Sequence, residues 1–388
     1  MVSQGVPTIV LSVSTLASSE KLNLFMVENR KLLILTKYSQ LAASSRLRMY
    51  QYASFLSASG WQVDSQALLS DNYLRNFFQG NGRSVMLGIG LILRRFMYLL
   101  KKNPSKYAVV LVHAEMLPYF PFFVEKQFLA GARVVVDYDD ALSVQYKNYR
   151  FLRNKIADIT RSATEVIVGS EVLRSYALQY NSRVTLIPTV VDLDRYQPKL
   201  TFVTKKQVVI GWIGTSATTR YLVTFASALQ ALAKKRSILL RCVGAHPGFK
   251  VPGVPTEVVS WSEAREAELV QGFDIGIMPL DNDEFSRGKC GYKILQYMAC
   301  AVPTVASAVG ANADIIQDEV NGLLAASIDE FLKKMEMLTD CEALRRRIGL
   351  NGRLTVAKYY CLEVRKRQFL EVVSRAATSR SVVGVQGL

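Results

Sequence analysis

Short apolar strands alternate with helical stretches along most of this chain, and the alternation runs through the sequence twice. In the first half the apolar runs are 31–36 (KLLILT), 108–114, 132–138 and 165–170. In the second half they are 208–214, 238–244, 273–280 and 302–307. Rich in Val, Ile and Leu, they do not alternate with polar residues. That pattern suits parallel strands covered on both faces. Helices are expected between them, at 46–58, 85–102, 150–163 and 171–179, then at 217–235, 263–271, 291–300 and 328–350. The expected fold class is therefore α/β, with two doubly wound Rossmann-like domains facing a central cleft. The expected boundaries are an extension at 1–29, a first domain at 30–190, a linker at 191–207 and a second domain at 208–354. A segment at 355–388 would cross back to the first domain and end in a tail.

Composition narrows the chemistry. Five Cys and two His leave few ways to hold a metal, and no Cys or His pair has zinc spacing. Scattered, odd-numbered Cys suit a reducing compartment. No uncharged apolar stretch reaches the roughly 18 residues of a spanning helix. Residues 7–17 are apolar but lack a basic leader and are broken by Ser and Thr, unlike a signal peptide. The net charge of +16 favours anionic membranes, nucleic acid or phosphorylated substrates. There is no basic low-complexity tail and no basic–aromatic RNA signature, so nucleic acid is not an expected partner. The net positive charge is higher in the first half, +10 over residues 1–190 against +6 over the rest. In the first half the segment 85–102 (VMLGIGLILRRFMYLLKK) reads either as a core helix with a basic end or as a helix lying on anionic lipid. A cytoplasmic location is expected, with peripheral contact at the cytoplasmic membrane face.

The most informative stretch is 281–310 (DNDEFSRGKCGYKILQYMACAVPTVASAVG). A polar loop follows a strand, then comes Gly288-Lys289-Cys290-Gly291, then an amphipathic helix. Gly291 allows close backbone approach at the helix start. The unpaired amides there, at Gly291 and Tyr292, together with Lys289 and Lys293, suit a diphosphate. Gln296 is a candidate ribose contact. In the strand–turn–helix at 210–222, Gly214, Thr215 and Arg220 are further candidate phosphate contacts. Trp261 follows another strand, near the expected position of the base, and reads more as packing than as stacking.

This segment resembles the retaining glycosyltransferases of family 4, which have the two-domain GT-B fold. Their signature is an acidic pair seven residues apart, closing in L-E-x-M-A-x-G-x-P-V-V-A. Residues 295–306 read L-Q-Y-M-A-C-A-V-P-T-V-A. The two family acids fall on Gly288 and Gln296, so both carboxylates are missing. Residues 287–293 (R-G-K-C-G-Y-K) resemble the branch with R-G-K-C-G-F-K in that place. The resemblance spans about 31–372 and is most specific at 273–322. It implies transfer of a sugar from a nucleotide diphosphate sugar to a hydroxyl of a glycan or lipid-linked glycan, with retention of configuration. No cofactor and no metal are expected, since fixed lysines take the cation's part. A non-catalytic partner subunit of the same fold, or a nucleotide-sugar epimerase, are the alternative readings.

In the first domain, Ser44 or Ser45 can cap the helix that follows the opening strand. Ser45, Arg46 and Arg48 are candidate acceptor contacts. His113 and Glu115 end one strand, and Asp139 and Asp140 follow another, at the edge where such sheets bind ligands. These four are the candidate catalytic residues.

Overall fold

The computed structural model describes residues 30–78, 85–203 and 206–379. The expected extension at 1–29 and the last nine residues of the tail lie outside them. Two six-stranded sheets form, and every pairing within them is parallel. The first comprises β1 (Lys31–Tyr38), β2 (Gln62–Leu69), β3 (Val109–His113), β4 (Val134–Tyr138), β5 (Glu165–Val168) and β6 (Val184–Leu186), in the order β2-β1-β3-β4-β5-β6. The second comprises β7 (Val208–Ile213), β8 (Ile238–Val243), β9 (Thr256–Val259), β10 (Ile275–Met278), β11 (Thr304–Ser307) and β12 (Leu323–Ala325), in the order β12-β11-β10-β7-β8-β9.

The central strands are buried throughout, Leu32 to Leu35 among them, as their unbroken apolar sequence requires. Four strands that the apolar pattern did not mark are β2, β6, β9 and β12. Each lies at a sheet edge with one neighbour. An edge strand packs against less and needs fewer apolar residues, and β2 (QVDSQALL) is mostly half-exposed. Two expected helices are broken in two. The 217–235 segment divides at Phe225 into Arg220–Thr224 and Ala226–Lys235, and the last long segment divides at Cys341 into Ile328–Asp340 and Glu342–Thr355. The helix expected from 150 begins only at Lys155.

In each sheet the strand order reverses once. The first reverses between β1 and β3, the second between β7 and β10. At such a point the loops leaving adjacent strands diverge and open a crevice at the carboxyl edge. The helical turn after β1 carries Ser45, and His113 is the last residue of β3. The loops after β7 and β10 carry Gly214 and the 281–291 segment.

The helix Leu362–Thr378 lies on the first sheet, although it follows the second in sequence. Phe369, Val372, Val373 and Ala376 join Leu32, Ile34, Tyr52 and Leu56 in one core. Phe369 stacks on Tyr52 with ring centroids 4.1 Å apart. The segment between the sheets is also anchored. Val191 bridges to Cys361, and Tyr196 is buried.

Candidate functional site

The two sheet edges meet through the 281–291 segment. Cys290 Sγ donates to the carbonyl of Asp139 at 2.9 Å. Gly288 lies against Ala141, where an added Cβ would come within 2.5 Å of the Ala141 methyl. A Cβ on Gly169 would strike Cys290 Sγ. Lys289 Nζ is 3.7 Å from Asp140. Glycines at these positions let the loop of the second domain seat on the carboxyl edge of the first.

Gly291 begins the helix Tyr292–Ala299 with φ +65, a left-handed conformation that glycine adopts without strain. No side chain caps this helix and no acid lies in its first turn. Its first amides have no intrahelical acceptor, which leaves the positive end of the helix dipole at Gly291. Lys293 stands in that first turn, its Nζ 4.5 Å above the Trp212 ring. Among the described residues no carboxylate pairs with it. Burial, with Lys289 adding, lowers its pKa to about 7. Trp212 also packs beside Gly214, where a Cβ would come within 2.6 Å of the indole. Thus the β7 turn and Lys293 both pack on the buried Trp212 ring. The Arg220 side chain is exposed, donates to Tyr221 Oη at 2.9 Å and lies 4.0 Å from Asp283. Thr215 uses its backbone to close a turn with Thr218.

Gln296 and the phenol of Tyr292 turn inward. Gln296 Nε2 donates to Tyr196 Oη at 2.9 Å, and the Tyr292 and Tyr196 hydroxyls are 3.3 Å apart. Tyr196 in turn donates to Glu266, as does Trp261 Nε1 at 2.6 Å. The expected ribose contact at Gln296 is therefore already engaged within the protein, and only the amide of Tyr292 is left to a phosphate. Sequence reasoning missed Glu266 and Tyr196. Neither stands in a motif, and they meet only because the 191–207 segment folds across the second sheet.

On the first domain the expectations divide. His113 is buried, with Nδ1 3.5 Å from Ser45 Oγ and Nε2 3.6 Å from Asp139 Oδ1. Its Nε2 makes no hydrogen bond. Burial would raise the Asp139 pKa, but His113, Arg48 and Lys289 outweigh it and hold it below the usual carboxylate value. The neighbouring Asp140 is raised by burial, with Lys289 opposing and Asp139 adding. Environments that push two adjacent carboxyls apart in this way divide charge-bearing from proton-bearing roles.

Ser45, Arg48 and Glu115 need correction. Ser45 is fully buried, accepts from the amide of Tyr38 at 3.3 Å and supports His113. It faces no acceptor and does not cap the helix, which Ala42 begins. Arg48 donates from Nε and Nη2 to the two oxygens of buried Asp137, at 3.0 and 2.5 Å. A bidentate pair of this kind is structural. Arg46 reaches across the cleft instead, 3.5 Å from Glu263 and 3.8 Å from Glu266. Glu115 is buried with Lys155 at 2.6 Å and Tyr146 Oη at 2.8 Å. It is the anchor of an internal network and does not reach the cleft.

Comparison with known proteins adds two findings. Residues 207–340 match the family model described as Glycosyl transferases group 1. The whole architecture is shared with solved GT-B structures. A glycosyltransferase from Rickettsia africae ESF-5 superposes with a TM-score of 0.65 at 14% identity, covering 91% of this chain and 100% of that one. Sucrose-phosphate synthase from Thermosynechococcus elongatus gives 0.65 at 15%, covering 89% and 98%. Anabaena HepE, solved in complex with UDP and glucose, gives 0.63 at 15%, covering 89% and 99%. The fold is GT-B.

Replacing Glu115 with Ala is expected to destabilise the protein by about 3–5 kcal/mol, because a buried Lys155 loses one of its two partners. Urea unfolding measures this. A loss below about 1 kcal/mol, the ordinary cost of a substitution, would return Glu115 to the candidate reacting groups.

Proposed function

We propose that this chain is a glycosyltransferase that moves a sugar from a nucleotide diphosphate sugar to a hydroxyl of a glycan or lipid-linked glycan, with retention of configuration. The observation that carries this reading is the uncapped helix start at Gly291 with Lys289 and Lys293 beside it. The match of 207–340 to group 1 glycosyl transferases supports it. So does the binding of UDP by HepE, a protein of the same fold.

In this reading the donor phosphates lie on the amides of Gly291 and Tyr292. Lys289 and Lys293 neutralise the diphosphate as it departs. Protein charges fixed where charge develops need no reorganisation at the moment of reaction. They also take the place of a bound cation, so transfer is metal-independent. His113, with Ser45 behind it and a free Nε2, faces the transferred sugar. Asp139 stays charged beside it and stabilises positive charge on the sugar ring as the donor bond breaks.

The helix Val85–Lys102 gives the acceptor side a further character. Ile89, Leu93, Met97 and Leu100 form an exposed apolar row along it, at 55–69% exposure. Of its basic residues, Arg95 is fully buried and Lys102 pairs with Asp64 at 2.9 Å. Lys101, and Arg94 beyond its bonds to the carbonyls of Ala67 and Leu68, are left to meet an anionic surface. The apolar row is the stronger part of this membrane contact.

Lys293→Met should weaken binding of the cognate nucleoside diphosphate roughly ten- to a hundredfold, the worth of a charge-assisted hydrogen bond. The wild-type affinity should also be pH-dependent. A diphosphate raises the Lys293 pKa from about 7. Below that value the lysine is already charged and affinity is flat. Above it, binding must take up a proton and affinity falls by up to about tenfold per pH unit. Phosphate ionisation, complete above about pH 6–7, does not contribute there. Titration calorimetry from pH 6 to 9 tests both, and an unchanged affinity in the variant would remove Lys293 from the site. Transfer should persist in EDTA. Complete loss restored by Mg²⁺ or Mn²⁺ would make Asp139 and Asp140 metal ligands instead. The protein should sediment with anionic vesicles, less so at high salt. Leu93→Ser with Met97→Ser should abolish this while sparing nucleotide affinity, and equal sedimentation of wild type and variant would exclude the helix from membrane contact.

A further inference from the structure

The buried network around Glu115 takes no part in the chemistry proposed above, yet it is unusually complete. Lys155 lies 2.6 Å from Glu115 and 2.9 Å from Glu125. Glu125 accepts from the amides of Met116 and Leu117, both at 3.1 Å. Lys155 also donates to the carbonyl of Leu117 at 2.6 Å. Tyr146 Oη donates to Glu115 and accepts from the amide of Tyr119 at 3.1 Å. Glu115, Glu125, Lys155 and Tyr146 are all nearly inaccessible. All of these bonds converge on one loop, residues 114–121, which leaves β3 at the cleft just after His113.

That loop is strained. Ala114 and Tyr119 both have positive φ, at 65 and 64. A side chain there costs free energy that glycine would avoid, and such strain persists only where the surroundings enforce it. The network enforces it. The result is a Tyr119 ring that is 55% exposed, next to Tyr149 at 50%. Both rings meet buried Tyr146 and one another edge to face, with centroids 5.6–6.2 Å apart. Gln145 Nε2 donates to Tyr119 Oη at 3.1 Å. The tyrosines stand at the mouth of the cleft. The helix Leu142–Tyr146 that supports them follows Asp139 and Asp140, and Lys147 at its end is 2.8 Å from Glu284 of the opposing loop.

We propose that the exposed ring of Tyr119, braced edge to face by Tyr149, forms a platform on which a sugar ring of the acceptor stacks, beside the reacting hydroxyl. A pyranose has an apolar C–H face, which suits the electron-rich face of a tyrosine. It also has a rim of hydroxyls, which suits the Tyr119 hydroxyl, the Gln145 amide and exposed Asn148. A lipid chain would call for a continuous aliphatic surface, which this patch is not. The acceptor class is thereby a glycan recognised through its sugar rings, not through a lipid. This rests on the sugar-transfer reading given above.

The test is a glycan array probed with the full chain, as wild type, Tyr119→Gly, Tyr119→Phe and Tyr149→Ala, alongside calorimetry with nucleoside diphosphates. Glycine fits φ +64 and removes the ring without strain, and Tyr149 is a surface residue outside the strained loop, so either variant decides if the other folds poorly. Wild type should retain a set of glycans. Tyr119→Gly and Tyr149→Ala should each lose about tenfold or more in retention. Tyr119→Phe, which keeps the ring, should stay within about threefold, and nucleotide affinity should be the same in all four. Unaltered glycan retention in Tyr119→Gly and Tyr149→Ala overturns the platform. So does a wild type that binds nucleotide but no glycan, and so does a loss of vesicle sedimentation, in place of glycan retention, in the tyrosine variants. A wild type that binds no nucleotide overturns the sugar-transfer reading itself.

Discussion

A parallel sheet delivers every loop that follows a strand to one edge, and the architecture of this protein depends on two such edges being pressed together. The contact is made by small groups. Gly288 meets Ala141, Gly169 meets Cys290, and Cys290 Sγ bonds to the carbonyl of Asp139. A side chain at either glycine would part the two domains by several tenths of an ångström or more. The close approach brings Lys289 to within 3.7 Å of Asp140.

The treatment of buried charge separates scaffold from site. Arg48 is buried but held bidentately by Asp137, and Lys155 is buried between two glutamates. Each cation has its counterion, and their loss would leave an uncompensated charge in the interior. Lys293 is the contrast, since it is half-buried over the Trp212 ring, stands near another lysine and pairs with no carboxylate among the described residues. Burial and the nearby Lys289 lower its pKa. The same reasoning moves Glu115 out of the chemistry. A carboxylate whose oxygens are taken by Lys155 and Tyr146 has neither the access nor the freedom to act on a substrate. What it does is hold a loop.

Much of the fold was legible because central parallel strands must be apolar on both faces. That requirement writes itself into short unbroken runs such as 31–36 and 208–214. The start of the helix Tyr292–Ala299 was legible for a similar reason. A left-handed helix start demands glycine, and Gly291 stands there between Lys289 and Lys293. Edge strands were not legible, because a strand with one neighbour and a solvated face needs no such run. The helix breaks at Phe225 and Cys341 were not either, since neither residue is a helix breaker by itself.

The sequence by itself determined the alternation of strands and helices, the placement of a glycine and two lysines after β10, and the positions of His113 at the end of β3 and of Asp139 and Asp140 just after β4. Only the tertiary structure decided which polar residues reach the cleft. Arg48 and Arg46 are two residues apart, yet one is locked to Asp137 while the other reaches Glu263 and Glu266 of the second domain. Gln296 sits in the helix that Gly291 begins, yet its amide is taken by Tyr196 from the 191–207 segment. Glu115 lies two residues from His113 and faces the interior. The physical reason is the same in each case. A polar side chain takes the nearest strong partner that desolvation leaves it. In a fold built from two sheets, that partner comes from a segment far away in sequence, so local pattern carries no record of it.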